Sequence, residues 1–357
     1  MSMVSILKLL ALTILVGSNN DYWGHTYLAE GNGKVYALRS LSEASSLCVF
    51  DASELKGKEG IIELASLQIP MKESVTEGKH SCHITLLPRE AVVSDYTSGT
   101  LSLFPLDAEG NVEGAPRVLK FEGKSVHPKR QKSPHIHSSA LSPDGKTLAV
   151  VDLGTDCIYL FNVKDGRVVS PQYETKRLQE QAGCGPRFCV FSKDGRYIYV
   201  VTELSDEVLV YPASGSTLVG RYKLSGENPE GGAHIALSAD GRYLYASLRV
   251  SSAANEGLCK QSDGVAIYKC LPNGKLKKVY YQPTGGHPRH FTLTDDGKFL
   301  IVACRDSNTI EIYPLDVKKG IPTGDVEKIN VSEPTYVGVR RSSPLGKDEL
   351  RSTFFLY

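Results

Sequence analysis

The stretch ALSPDGKTLAVVDLGTDCIYLF, residues 140–161, decides the fold. Two apolar runs, TLAVV and CIYLF, carry the β-branched and aromatic residues of strands, and Asp144-Gly145 and Gly154-Thr155-Asp156 mark turns before and between them. The pattern returns as VFSKDGRYIYVVTELSDEVLVY from Val190, ALSADGRYLYASLR from Ala236 and TLTDDGKFLIVACRDSNTIEIY from Thr292. The turn glycines Gly145, Gly195, Gly241 and Gly297 are separated by 50, 46 and 56 residues, the last interval lengthened by a Ser/Ala/Asn/Gly-rich insertion from Val250 to Asp263. Asp-Gly is expected to supply the positive-φ positions of a tight hairpin. Turns recur every few residues and no convincing amphipathic helix intervenes, so each unit reads as a meander of strands rather than a βα crossover.

Two weaker copies lie upstream, TYLAEGNGKVYALRS from Thr26 and HITLLPREAVVSDYTSGTLSLF from His83. Repeats of 40 to 50 residues with four strands each predict an all-β, seven-bladed β-propeller, whose ring closure hides the sheet edges. Six units are readable. The seventh is expected to be assembled from the N-terminal segment and INVSEPTYVGV near the C-terminus. One domain then spans residues 1–339, and residues 340–357 form a C-terminal tail.

The 41 basic and 40 acidic side chains nearly cancel, leaving +1, which removes the broad electrostatic case for nucleic acid. The apolar stretch Ile6 to Val16, interrupted by Lys8, is too short to span a bilayer. It reads as a strand of the propeller; the competing reading is a signal peptide cut near Val16-Gly17-Ser18, which would export the protein. Eight scattered cysteines without zinc spacing read as reduced thiols, so the cytoplasm is the expected compartment.

In a propeller the innermost strands line a central channel, and the residues just before them gather at its mouth. Here those residues are His83, His135 and His137, Arg187, His234, and His287 and Arg289. A single His or Arg in that place is as well explained by a tie between blades. Several cations around one mouth make an anion site, since Arg grips carboxylate or phosphate in bidentate fashion. Glu203 and Arg249 follow the second strand, with Asp152 and Arg305 taken as their equivalents. For Glu203 a salt bridge with Arg187 competes with acid–base work. His287-Pro-Arg-His290 lacks neighbouring carboxylates and is a weak zinc motif, so neither metal nor cofactor is expected.

The motifs HSSALSPDGKTLAVVDLGTD, GCGPRFCVFSKDGRYIYVVTELSD, HIALSADGRYLYAS and GGHPRHFTLTDDGKFLIVACRDSNTIEIY resemble the propeller-type lactonases, a family that includes bacterial 6-phosphogluconolactonases and fungal carboxymuconate cyclases. The likeness runs from about Thr26 to Val339. It implies a catalytic group at His137, Arg187, Glu203 and Arg249, with His137 as base, Glu203 as its orienter, and the arginines holding the anion and the developing oxyanion. His83, His135, His234, His287 and Arg289 would bind substrate. The implied substrate is a small anionic lactone, 6-phosphoglucono-1,5-lactone first, and the implied enzyme a lactone hydrolase of the pentose phosphate pathway. A carboxymuconate-type cycloisomerase uses the same pocket and stays open, as does a non-catalytic protein-binding propeller, against which the channel-facing His and Arg speak. VVSDYTSGT and VACRDSN depart from the Ala-Asn-Tyr or Ala-Asn-Gln usual in the family after several strands. Membrane association is not expected, and nothing in the sequence sets the oligomeric state.

Overall fold

The computed structural model describes residues 12–18, 25–40, 44–55, 60–63, 70–177, 182–214, 217–225, 230–249 and 263–341. Their strands form seven sheets. Blade one comprises His25–Gly31, Lys34–Ser40, Ser45–Asp51 and Lys72–Val75; blade two, Ser81–Leu87, Glu90–Asp95, Thr100–Pro105 and Arg117–Lys120. Blade three comprises Ile136–Leu141, Thr147–Asp152, Cys157–Lys164 and Arg167–Arg177; blade four, Pro186–Phe191, Tyr197–Thr202, Glu207–Pro212 and Gly220–Lys223. Blade five comprises Gly232–Leu237, Tyr243–Leu248, Gly264–Cys270 and Leu276–Pro283; blade six, Pro288–Leu293, Phe299–Cys304, Thr309–Asp316 and Glu327–Asn330, extended by Ile321–Pro322. Among the described residues the helical element is a 3₁₀ turn, Ala52–Leu55, and no helix is long and apolar enough to cross a membrane.

Each second strand is sandwiched between neighbouring blades and buried on both faces, which is why LAVV, YIYVV and LIVA read as unbroken apolar runs. Seven apolar clusters result, one at each blade-to-blade interface. Phe188, Tyr199 and Val201 of blade four meet Ile235, Leu244 and Tyr268 of blade five, for example.

The Asp-Gly turns are built differently from the sequence expectation. Only the glycine takes positive φ, +71° at Gly145, while Asp144 stays out of that region. Ser142 Oγ donates to Asp144 Oδ1 at 2.6 Å and accepts from Thr147 N at 2.9 Å; Asp144 Oδ1 accepts from Lys146 N. The motif is therefore Ser/Thr-x-Asp-Gly, repeated at Ser192, Ser238 and Thr294. Asp is selected as a side-chain acceptor and Gly for its backbone.

Blade seven joins both ends of the chain. Pro334–Arg341 is its inner strand and pairs antiparallel with Leu12–Ser18, so the apolar N-terminal stretch is a strand from Leu12 onward; residues 1–11 lie outside the described set. Its third strand is Gly60–Glu63, borrowed from the loop between two strands of blade one and lying parallel to Leu12–Ser18. Sequence reading missed this strand because four residues, GIIE, carry no repeat register. Arg340 and Arg341 belong to the inner strand, and the rest of the proposed tail lies outside the described residues, as do residues 250–262 of the insertion. Arg340 Nε meets Glu30 Oε2 of blade one at 3.1 Å and Nη1 donates to Ala52 O.

Candidate active site

Every inner strand starts with an irregularity in its pairing to the second strand, and that irregularity builds the site. The pairing skips Thr26, Cys82, His137, Arg187 and Arg289 in blades one, two, three, four and six, Ala233 with His234 in blade five, and Thr335 in blade seven. A bulge re-aims its extra side chain away from the sheet, here toward the channel. The next residues, Tyr27, His83, Ser138, Phe188, His234, His290 and Tyr336, form a second layer below the first. The His and Arg candidates, taken from sequence as sharing one register, thus divide between two layers.

The lower layer is an aromatic and imidazole plug. Phe188 packs against His83 with centroids 5.1 Å apart and against His234 at 4.9 Å. His234 and His290 lie 3.9 Å apart, and His290 and Tyr336 4.4 Å. Burial, with Arg187 adding repulsion, pushes the His83 pKa down to about 3, and burial, with the neighbouring His83 opposing a second proton, pushes His290 to about 3. His234 is held well below the ordinary histidine range by burial and His290. These rings are neutral packing elements. They do not join the hydrogen-bonded cluster above them, and His290, part of the sequence's candidate zinc motif, sits a layer away from His287.

The upper layer carries the charge. Glu203 directly follows the second strand of blade four, and its backbone N donates to Gly185 O. Tyr96, Leu153, Arg249 and Arg305 make the same bond in their blades, to His80, His135, Gly231 and His287. Leu153, not Asp152, is therefore the equivalent of Glu203. Asp152 is fully buried and accepts from His135 N, Gly154 N and the Thr155 hydroxyl, which makes it a turn anchor.

Glu203 Oε2 accepts from Arg187 Nε at 2.7 Å and Arg249 Nη2 at 3.0 Å, and Oε1 accepts from Arg130 Nη2 at 2.6 Å. Burial opposes ionisation of this carboxyl, but Arg249, Arg187 and Arg130 outweigh it and hold the pKa well below the carboxylate range. Arg187 is also pinned by Nη1 to Ala233 O at 2.7 Å, and Arg249 by Nε and Nη2 to Gly231 O and Gly232 O. Those loops are themselves fixed: Asp206 accepts from the N–H groups of Glu230, Gly231 and Gly232, and Asp156 from those of Gly183 and Gly185. Among the described residues Arg187 Nη2 and Arg249 Nη1 keep donors free of hydrogen bonds.

His137 is buried beside this clamp, 3.8 Å from Cys82 Sγ through Nδ1, with no hydrogen bond on Nε2 among the described residues. Burial and then Arg187 hold its pKa well below the histidine range, so the ring is neutral at pH 7. Glu203 makes no hydrogen bond to His137; the predicted orienter of the histidine orients the arginines instead. The salt bridge that competed with a functional reading of Glu203 is present and is part of the site.

Arg130 and Tyr96 were missed. Arg130 comes from the long connection into blade three, and its Nη2 also donates to Tyr96 Oη at 3.0 Å. The basic run HPKRQK held the clue to the first, and the departure VVSDYTSGT to the second. His135 stacks on Tyr96 at 4.5 Å and bonds its carbonyl through Nδ1. At the rim His287 Nδ1 lies between Arg305 Nη2, at 3.3 Å, and Asp306 Oδ2, at 3.5 Å.

Residues 25–339 match the family described as "Lactonase, 7-bladed beta-propeller". The chain belongs to that lactonase family. The lactonase is 33% identical over 252 residues to a 6-phosphogluconolactonase of Formosa agariphila, covering 68% of this chain and 69% of that one. It is 26% identical over 278 residues to the 6-phosphogluconolactonase of Bacillus subtilis, covering 75% of each. Among solved structures, one from Bacteroides fragilis, provisionally assigned as a 6-phosphogluconolactonase, superimposes with TM-score 0.78 at 30% identity over 92% of this chain and 98% of that one. A periplasmic gluconolactonase of Pseudomonas aeruginosa, at 23% identity and TM-score 0.69 over 88% of each chain, shares the fold.

Proposed function

We propose that this lactonase hydrolyses 6-phosphoglucono-1,5-lactone to 6-phosphogluconate. The observation that carries the reading is a neutral His137 with an unbonded Nε2 beside two arginines locked by Glu203. The lactone carbonyl sits against the spare donors Arg187 Nη2 and Arg249 Nη1. His137 Nε2 takes a proton from water as the water oxygen attacks C1. Negative charge moves to the carbonyl oxygen, where the fixed guanidinium groups stabilise it without reorganising. The tetrahedral intermediate expels the ring oxygen, which takes the proton from His137 and becomes the 5-hydroxyl. Glu203, clamped and ionised, neither gives nor takes a proton; it sets the position of Arg187 and Arg249. Free thiols at all seven described cysteines support a reducing, cytoplasmic setting, with Cys259 outside the described residues.

The test generates the lactone in place from glucose 6-phosphate with its dehydrogenase and compares 6-phosphogluconate formation with and without the pure protein. Acceleration over spontaneous hydrolysis is expected. No acceleration, or turnover confined to a carboxymuconate substrate, would overturn the reading.

A further inference from the structure

We infer that Arg289, seconded by Arg305, holds the substrate's phosphate and makes the site prefer a phosphorylated sugar lactone to its unphosphorylated counterpart. The inference rests on the lactonase reading above. Five arginines face the upper layer: Arg130, Arg187, Arg249, Arg289 and Arg305. Three share Glu203, and Arg305 Nε pairs with the half-exposed Asp306. Arg289 alone has no hydrogen bond or ion pair among the described residues. Burial, then the like charge of Arg249, pulls its pKa down to about 10 against the attraction of Glu203, so it remains a cation at neutral pH, and the carboxylate that acts on it is already bonded to three other arginines. Among the described residues Glu203 and Asp306 are the carboxylates bonded to these arginines, and His137 and His287 are neutral, His287 being pushed to about 2 by burial and then Arg249. A site so wired has a surplus of positive charge that a dianionic phosphate largely offsets and a neutral sugar lactone does not.

Position agrees with charge. Arg289 is the bulge residue of blade six and His137 that of blade three, so they stand on opposite sides of the sevenfold channel in the same layer. The bulge residue of blade five between Arg187 and Arg289 is Ala233, whose methyl carries no charge, so the like charges of the two flanking arginines act on one another without an anion from that blade's bulge. A 6-phosphoglucono-lactone has its reacting carbonyl on C1 and its phosphate on C6, at opposite ends of the molecule. Bound across the channel, it meets His137 and Arg187 with one end and Arg289 with the other.

The experiment compares wild type, Arg289→Met, Arg289→Lys and Arg305→Met. Calorimetry measures 6-phosphogluconate and gluconate binding; kinetics measures kcat/KM on the phosphorylated lactone and on glucono-1,5-lactone. Arg289→Met is expected to weaken 6-phosphogluconate binding by about 30-fold and to lower the phosphorylated-to-plain specificity ratio by a similar factor, mostly through KM. Arg289→Lys, a point charge without the fork, falls between, and Arg305→Met loses less than Arg289→Met. Removing a half-buried cation that makes no hydrogen bond or ion pair among the described residues should not lower Tm; if Arg289→Met fails to fold, the lysine variant carries the same comparison. Undiminished 6-phosphogluconate binding, or equal proportional losses for both ligands, would overturn the inference. If wild type hydrolyses neither lactone, the lactonase reading falls, while the calorimetric comparison still decides the phosphate subsite.

Discussion

Glu203 Oε2 lies 2.7 Å from Arg187 Nε, an ion pair closed between the end of blade four's second strand and the bulge of its own inner strand. The same oxygen holds Arg249 of blade five at 3.0 Å. One carboxylate therefore sets the aim of two arginines from two blades. Glu203→Gln keeps the shape and removes the charge. It is expected to lower kcat/KM about 100-fold, because guanidinium groups that repel one another drift from the oxyanion position. It should also cost about 3 kcal/mol of stability, the usual penalty for leaving buried charges unpaired. Steady-state kinetics on the fraction shown to be folded by circular dichroism separates the two effects; full activity in the folded fraction would remove Glu203 from the site.

His137→Ala is expected to reduce kcat about 10² to 10⁴-fold with little change in KM, the scale of a lost general base. Burial and Arg187 keep the histidine pKa well below 6.5, so its neutral, proton-accepting form dominates at and above neutral pH and persists as the pH falls through 6.5. The pH profile of kcat/KM on glucono-1,5-lactone, which has no titrating phosphate, should be flat between about pH 6 and 7.5. An inflection at an ordinary histidine pKa would place the base elsewhere.

The plug predicts an acid weakness. His83 and His290 have folded-state pKa values near 3, and His234 is also strongly lowered. The unfolded chain binds protons at these histidines below about pH 6.5 and the folded one does not. Their contribution is thus intact above pH 6.5 and is lost as the pH falls toward the folded values, by about 2 kcal/mol per ring at pH 5. Thermal unfolding at pH 7 and 5 should show a steep drop in Tm that His234→Phe reduces. Identical slopes in wild type and variant would contradict the assignment of a buried, neutral ring.

Fold and site were legible to different depths. The second strands announced themselves because burial on both faces demands unbroken apolar runs, and the Ser/Thr-x-Asp-Gly turns because each position has its own backbone or side-chain duty. Register marked His137, Arg187, Glu203, Arg249 and Arg289 as candidates, since bulges and strand ends recur at fixed places in each blade, while the family resemblance implied the first four as a catalytic group. A bulge shifts register by one residue, and sequence spacing cannot show that shift; hence His83 and His234 were grouped with Arg187 although they point into the layer below, and Asp152 was aligned with Glu203. Arg130 and Gly60–Glu63 come from loops outside the repeat. Nothing in periodicity marks such segments.

Blade seven makes a quantitative stability prediction. Ile14 and Leu15 are buried on opposite faces of Leu12–Ser18, one against blade six and the other against blade one. Either residue changed to Ala should cost about 3 kcal/mol by cavity formation. Chemical denaturation of Ile14→Ala should show a lower midpoint for the whole transition. A lost fraction of signal with the main midpoint unchanged would mean that this blade unfolds apart from the rest.

The splice of Leu12–Ser18 onto Pro334–Arg341 also sets a timetable for biosynthesis. The two partners lie about 318 positions apart, as in the contact of Thr335 with Gly17, and six blades are translated between them. A ribosome therefore releases an apolar strand with an unpaired edge long before its mate exists, the kind of edge that recruits other chains. The ring of cations cannot become a dry, preorganised pocket until the final strand is laid down. Competence for catalysis then arrives in one late step, and a growing chain stalled short of blade seven would hold most of its active-site residues without an active site.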